Sequence, residues 1–418
     1  MDFPKMIRVR QRFEAPVVED INQQIVTQVK ALGVENKITA GQSVAVACSS
    51  RGIANYSTIV KTTVESLKQM RLKPFIVPAM GSHGAATAEG QKKVLENYGI
   101  SEQKTGVPVR SSLEVVQIDE TEDLIPVFMD KLAFEAHHIV PINRVKPHTE
   151  FEYDIESGLM KMMAIGLGKK EGARTCHQAI MVYGYPRIIL SAARKVLQSG
   201  KILFGVGIVE NGYSQTATIR VLKPEGLEEG EKGLLKESKR WSARLPFDTV
   251  DILIIDEMGK DISGTGFDTK VVGRILMPLV AKEPETPEVK RILVCDLTPK
   301  TEGNADGVGI ADLVTQRLVD KIDMNALYVN AITGAEPEHA KIPLTLKNDK
   351  EGIEIAIGSI GLVPHEQLKI IRIKNTMRLG EVDISEAYRE ELSRRKDLEI
   401  ITEARPMAFN QEGNLEPF

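Results

Sequence analysis

Ser43-Val44-Ala45-Val46-Ala47-Cys48 reads as a buried strand, and Ser49-Ser50-Arg51-Gly52 follows it as a polar loop. A long amphipathic helix then runs from about Ser57 to Arg71, and a second strand, Pro74 to Pro78, comes after it. Met80-Gly81-Ser82-His83-Gly84 closes that strand. Thr87 or Ala88 begins the next helix, with Glu89 in its first turn. Strand, loop and helix thus occur twice in succession, which is the pattern of an α/β protein. Polar residues lie just past both strand ends. In an open parallel sheet that edge gathers loops and helix N-termini, and ligands bind there.

Outward from this stretch, residues 17–33 read as a helix ending at Gly33. Further strands are expected at Glu114–Ile118, His138–Pro141, Ile202–Ile208 and Thr216–Val221. The charge-rich segment 223–242 reads as a helix leaving a first unit. A second unit opens on the apolar run Val250–Ile255, and Arg291–Leu297 repeats the theme. Ala311–Ile322 reads as a helix, and 352–358 and 368–373 read as strands. The expected division is an amino-terminal α/β domain over 1–245 and a second α/β domain over 246–380. The tail, about 381–418, is expected to be helical around Ser385–Arg395 and free to pack back on the first domain.

The bulk numbers narrow the function classes. A chain of 418 residues suggests two or three units at ~150 residues each. Hydrophobic residues make up 42% and charged residues 27%, an ordinary globular composition. A net charge of −4 and a pI near 6.1 argue against a dedicated nucleic-acid or anionic-membrane binder. No segment approaches the ~20 apolar residues of a membrane-spanning helix, and the amino terminus lacks the apolar core of a secretory signal. Cys48, Cys176 and Cys295 are far apart and form no CxxC pair, which suits a reducing cytoplasm.

Three of the seven histidines stand in polar contexts within the first unit. His83 lies in the Gly81-Ser82-His83-Gly84 turn. His148 follows Pro147, which enforces an extended approach, and His177 precedes a helical stretch. Each alone reads equally as a hydrogen-bonded surface or core histidine. Together, on Gly-rich loops beside Arg and Lys, they suggest a site. There is no HExxH and no clustered Cys/His pair, so a protein-only zinc site has no ligand pattern behind it. The segment from Glu156 to Gly168 embeds one lysine, Lys161, among Leu159, Met160, Met162 and Met163. Lys161 reads either as a snorkelling side chain or as a partly desolvated amine suited to covalent attachment.

Ser50-Arg51, Gly81-Ser82-His83, the His148 loop, Ser157-Gly158 with Lys161, and His177 together resemble the nickel-dependent lactate racemase family in order and in the Lys161-to-His177 interval. The resemblance spans most of the chain. It implies two α/β domains with a nickel pincer nucleotide (a pyridinium-3-thioamide-5-thiocarboxylic acid mononucleotide carrying nickel) in the cleft between them. It also implies that Lys161 carries the cofactor through a thioamide and that His177 joins the cofactor's carbon and two sulfurs around the metal. Such soft, planar donors suit nickel. His83 and His148 would be the paired acid/base groups of a 2-hydroxy acid racemase or epimerase. Hydride passes reversibly to the cofactor while a histidine takes the hydroxyl proton. Arg51 would anchor the substrate carboxylate or the cofactor, and Ser49 and Ser50 would cradle its phosphate. The partners implied are a small 2-hydroxy acid and the proteins that make the cofactor, with no nucleic acid and no membrane.

The chain also departs from that family. Gly84 stands where the lactate racemases carry Arg, and the interval from His148 to Lys161 is longer, with Phe151-Glu152-Tyr153-Asp154 inside it. The second-domain Gln and Lys that meet lactate are not clearly matched. Lys260 in its Gly-rich loop and Asn304 before a helix are the expected substrate contacts there. These departures gather on the substrate side, which suggests a hydroxy acid other than lactate. Two further readings stand beside this one: a zinc-type hydrolase using His83, His148 and His177, and a non-catalytic cofactor-binding protein.

Overall fold

A computed structural model of the chain describes residues 3–50, 52–277 and 281–418, and Arg51 lies outside them. The chain forms two compact units, both mixed α/β. One comprises residues 15–148 and 152–242. The other comprises the described residues up to 14 together with 149–151 and 243–418.

The first unit is built on a five-stranded sheet in the order Lys73–Pro78, Ser43–Cys48, His138–Arg144, Gly205–Glu210, Thr216–Leu222. The first four strands are parallel and the last is antiparallel. Ser43–Cys48 is covered on both faces, because its alternate side chains feed two different cores. Ala45 and Ala47 join Phe75 and Val77 on one side. Val44, Val46 and Cys48 pack with Ile76 and Val140 on the other. The helix Tyr56–Gln69 closes the second core through Tyr56, Ile59, Val60, Val64 and Leu67, a three-and-four spacing. The helix Tyr185–Gln198 closes the first through Ile188, Ile189, Ala192, Ala193 and Val196.

Chain order fixes where a site can form. From Ser43–Cys48 the chain steps to Lys73–Pro78 on one side, then returns to His138–Arg144 on the other. Chain order thus reverses between Ser43–Cys48 and His138–Arg144, and in open α/β sheets ligands usually bind at the carboxyl edge of such a switch point.

The second unit holds an eight-stranded sheet. Its order is Leu344–Leu346, Leu313–Thr315, Glu288–Val294, Thr249–Ile255, Ile370–Ile373, Glu381–Ser385, Met6–Gln11, Leu398–Arg405. The first five strands are parallel and the last three antiparallel. The linear division expected from sequence therefore differs from the observed one. The amino-terminal strand and the tail strands Glu381–Ser385 and Leu398–Arg405 pair with one another in this sheet. Arg8 and Asp383 form a two-pronged ion pair across one such pairing, at 2.8 and 2.9 Å. These partners lie at opposite ends of the chain, so no local periodicity reveals them. Residues 352–358, expected as a strand, lie in the helix Asp349–Gly358, which Asn348 caps by accepting from Glu351 N at 3.0 Å. Ala311–Ile322 divides into the strand Leu313–Thr315 and the helix Gln316–Val319. Around Ser385–Arg395, helix forms only at Arg389–Ser393 apart from a 3-10 turn before it. No described helix is long and apolar enough to cross a membrane.

Candidate active site

Three loops of the first unit leave the carboxyl ends of three neighbouring strands. Ser49-Ser50 follows Ser43–Cys48, Gly81-Ser82-His83 follows Lys73–Pro78, and Lys146-Pro147-His148 follows His138–Arg144. Each candidate residue on them is held by a different device.

Ser49 is buried, and Tyr56 occupies it. The Ser49 N–H donates to Tyr56 Oη at 2.6 Å, and the two hydroxyls lie 3.2 Å apart. Ser50 meets the Nδ1 of His83 through its hydroxyl, and Tyr98 Oη donates to Ser50 O at 3.0 Å. Ser50 thus joins two of the sequence candidates and orients the exposed His83 ring.

Gly84 follows in the left-handed region at φ +66, and a Cβ there would stand 2.6 Å from Gln91 N and 2.7 Å from Gly90 C. Backbone fills that space, so this turn takes only glycine. The arginine of the lactate racemases has no room on this backbone.

His148 is 6% exposed. Its loop is closed by a backbone bridge in which Lys146 N donates to Ser157 O at 2.9 Å and Ser157 N to Lys146 O at 3.2 Å. Inside the loop the buried Glu156 accepts from His148 N at 2.6 Å and Tyr153 N at 3.2 Å, and Lys239 pairs with it at 2.7 Å. The Nε2 of His148 meets the Nζ of Lys161. Tyr185 borders both groups. Its ring lies 5.2 Å from the His148 ring, and the Lys161 Nζ sits 5.4 Å from its centroid.

Lys161 ends the single helical turn Leu159–Lys161, and the π-turn Met162–Gly166 follows at once. The apolar run read in the sequence is the buried side of this segment: Leu159, Met160, Met162, Met163 and Ala164 all lie in the core. Lys161 itself stays half-buried at the core's edge. A π-turn is rare and tends to mark functional segments. The helix Lys169–Tyr183 comes next and carries His177, also half-buried.

The start of the Lys161 turn is capped from the helix Leu227–Trp241. Glu231 Oε2 accepts from Leu159 N at 2.6 Å and Met160 N at 3.0 Å. Glu231 is fully buried, its Oε1 has no hydrogen-bond partner, and burial pushes its pKa up to about 7 against the pull of the two N–H groups. Gly158 leaves room for this carboxylate, which a Cβ would overlap. Sequence reading missed Glu231, although a signal was present. It falls in the spacing Leu227, Glu231, Leu234, Leu235, Ser238, as the one charge on the buried face of that helix. Glu156 and Lys239 were missed too, and no local pattern marks them.

In the second unit, Lys260 and Asn304 belong to one loop cluster. Lys260 donates to Gly264 O and pairs with Asp306 Oδ2 at 2.6 Å, while Asn304 Oδ1 accepts from Asp306 N at 3.2 Å.

Among the described residues, no group of three or more His, Cys, Asp or Glu side chains is arranged to hold a metal ion. His83, His148 and His177 therefore do not form the three-histidine site that a zinc hydrolase needs. A metal held by His177 would take its other donors from a cofactor, and the half-buried Lys161 amine lies within reach of solvent. The residues present fit a pincer group of this kind.

Residues 6–186 match the lactate racemase N-terminal domain. That match contains every first-unit residue named above as a candidate, and it bears out the family resemblance drawn from the sequence. The lactate racemase apoprotein from Thermoanaerobacterium thermosaccharolyticum shares the fold, with a TM-score of 0.50 and 14% identity. The likeness covers 90% of this chain and 99% of that one. No curated protein sequence matches the chain significantly.

Proposed function

We propose that the chain is a racemase or epimerase of a small 2-hydroxy acid, served by a nickel pincer nucleotide carried on Lys161. The observation that carries this reading is the meeting of the Lys161 amine with the His148 imidazole, at the head of the helical run that leads to His177. An amine against a neutral imidazole can pass its proton across and act as a nucleophile, which is what covalent attachment requires. His177 would supply one imidazole nitrogen to nickel, and the cofactor would supply the soft donors. When bound, that cofactor accepts and returns the Cα hydride.

The chain's own residues move protons and hold the substrate. A thioamide on the Lys161 nitrogen would remove its basicity, and His148 would then serve the substrate hydroxyl. His83, held through Nδ1 by Ser50, is the second proton carrier. Two such histidines let either enantiomer lose and regain its hydroxyl proton. Arg51 anchors a carboxylate or phosphate. In this reading the substrate is a hydroxy acid not limited to lactate, because Gly84 replaces the family's arginine and the interval from His148 to Lys161, which contains residues 151–154, is longer. Cofactor-making proteins are the expected partners, and the cytoplasm the expected compartment.

The test is intact mass and nickel content after co-expression with pincer-cofactor biosynthesis proteins. One adduct mapping to Lys161, with about one nickel per chain, supports the reading. A screen of 2-hydroxy acids for loss of optical rotation then finds the substrate. A folded protein with neither adduct nor nickel, while the same partners load a known lactate racemase, refutes the assignment of Lys161.

A further inference from the structure

Lys169 is fully buried, and it opens the helix Lys169–Tyr183 in the left-handed region at φ +53. Its ammonium lies 2.9 Å from Asp130 Oδ2, donates to Pro78 O, and donates to Gln91 Oε1 at 3.1 Å. The ammonium thus donates two hydrogen bonds and pairs with one carboxylate. Asp130 is fully buried as well, and its other oxygen accepts from Ala133 N at 3.0 Å. Burial pulls the Lys169 pKa below its ordinary value, and Asp130 opposes that shift.

Stability is a poor explanation for this pair. Stripping water from two ions costs several kcal/mol per ion, and apolar side chains of like volume usually serve as well or better. What the pair does is orient one amide. An ammonium only donates, so the Gln91 oxygen must face Lys169. The Gln91 NH₂ group then faces the other way and donates to Gly81 O at 2.8 Å and His83 O at 3.3 Å. Carbonyls only accept, so both ends of the amide are fixed and it cannot flip. Pro78, the third acceptor, ends the strand that enters the same turn. On the opposite side, Asp130 N donates to Leu167 O at 2.6 Å, tying the pair to the end of the segment after Lys161. In sequence Lys169 lies midway between Lys161 and His177.

We propose that Gln91, aligned by the buried Lys169–Asp130 pair, is the positioning residue for His83, fixing the 81–83 turn against the helical run that carries Lys161 and His177. This rests on the reading of His83 as a proton carrier. Gln91 touches neither substrate nor cofactor in this role; it acts through the backbone of the turn.

Gln91→Glu is the discriminating variant, because a carboxylate still accepts from Lys169 but cannot donate to both carbonyls. In the full chain it should lower the melting temperature, because it buries a carboxylate against two carbonyl oxygens. It should also speed amide exchange at residues 81–84 roughly tenfold or more, as the loss of two hydrogen bonds implies, and shift the NMR titration of His83. In the cofactor-loaded protein, kcat should fall roughly tenfold to a hundredfold with KM unchanged, the signature of a misplaced reacting group. The pair Lys169→Met with Asp130→Asn, which removes the lysine end of the amide's restraint and leaves the carbonyl end, should give the same exchange and titration effects in smaller degree if Gln91→Glu does not fold. Unchanged exchange and unchanged His83 titration in the variant that folds overturn the proposal. Altered exchange and titration, in a chain whose loaded wild type turns over no hydroxy acid, sustain the positioning role and refute the proposed function instead.

Discussion

Glu231→Gln tests the architecture beneath Lys161. The wild-type carboxyl caps the turn Leu159–Lys161 while fully buried, and burial lifts its pKa from 4.5 to about 7. A carboxyl raised in the folded state favours folding most when protonated. Its contribution is complete below pH 4.5 and is lost as the pH climbs through 7. At 1.36 kcal/mol per pKa unit, that loss is about 3 kcal/mol. Glutamine keeps an oxygen for the two N–H groups and does not titrate. The stability of the variant minus that of wild type should therefore rise by about 3 kcal/mol between pH 4 and pH 8. Urea unfolding read by tryptophan fluorescence is the assay, since the chain's single tryptophan, Trp241, ends the same helix as Glu231 and so reports on this unit. Parallel stability curves for the two proteins from pH 4 to 8 would falsify the buried-carboxylate account.

Other substitutions probe the same framework. Gly84→Arg, which restores the family's residue, should destabilise the first unit by at least about 2 kcal/mol through the positive φ and the backbone 2.6 Å away. Melting should fall by roughly 5 °C, and an unchanged melting temperature would mean that the turn has another conformation available. Tyr56→Phe leaves the buried Ser49 N–H without its 2.6 Å partner and should cost about 1–3 kcal/mol in urea unfolding; a neutral result argues that water replaces the hydroxyl. In the second unit, burial pulls the pKa of His339 down. Glu336 at 2.6 Å and Ile275 O at 2.8 Å outweigh it, so the net shift is upward. A raised histidine stabilises fully below about pH 6.5 and loses that contribution as pH rises through its folded value. His339→Gln should therefore remove a decline in urea midpoint expected of wild type above about pH 6.5, and identical declines in both proteins would exclude His339 as its source.

The core strands and helices of the first unit were legible because their signal is local. Ser43–Cys48, Tyr56–Gln69 and Lys73–Pro78 follow from runs and spacings within about fifteen residues, the range over which period-2 and period-3.6 patterns act. So do the candidate residues at the strand ends. The run around Lys161 was readable as apolar, though not as a turn capped from elsewhere. Residues 352–358 misled because Ile353, Ile355 and Ile357 alternate like a strand, while the Asn348 cap and the buried Ile353 and Ala356 make a helix.

Sequence by itself determined that this is an α/β chain, which residue types line its strand-end loops, and which family's motifs they resemble. Tertiary structure decided the rest: that the amino-terminal strand and the tail share a sheet, that Tyr56 occupies Ser49, that Lys161 meets His148, and that Glu231 and Gln91 hold the segments bearing Lys161 and His83. The physical reason is the same in each case. Periodicity and propensity act between near neighbours in the chain, whereas a buried carboxylate, amide or strand edge takes its partner from whatever the fold brings within about 3 Å of it.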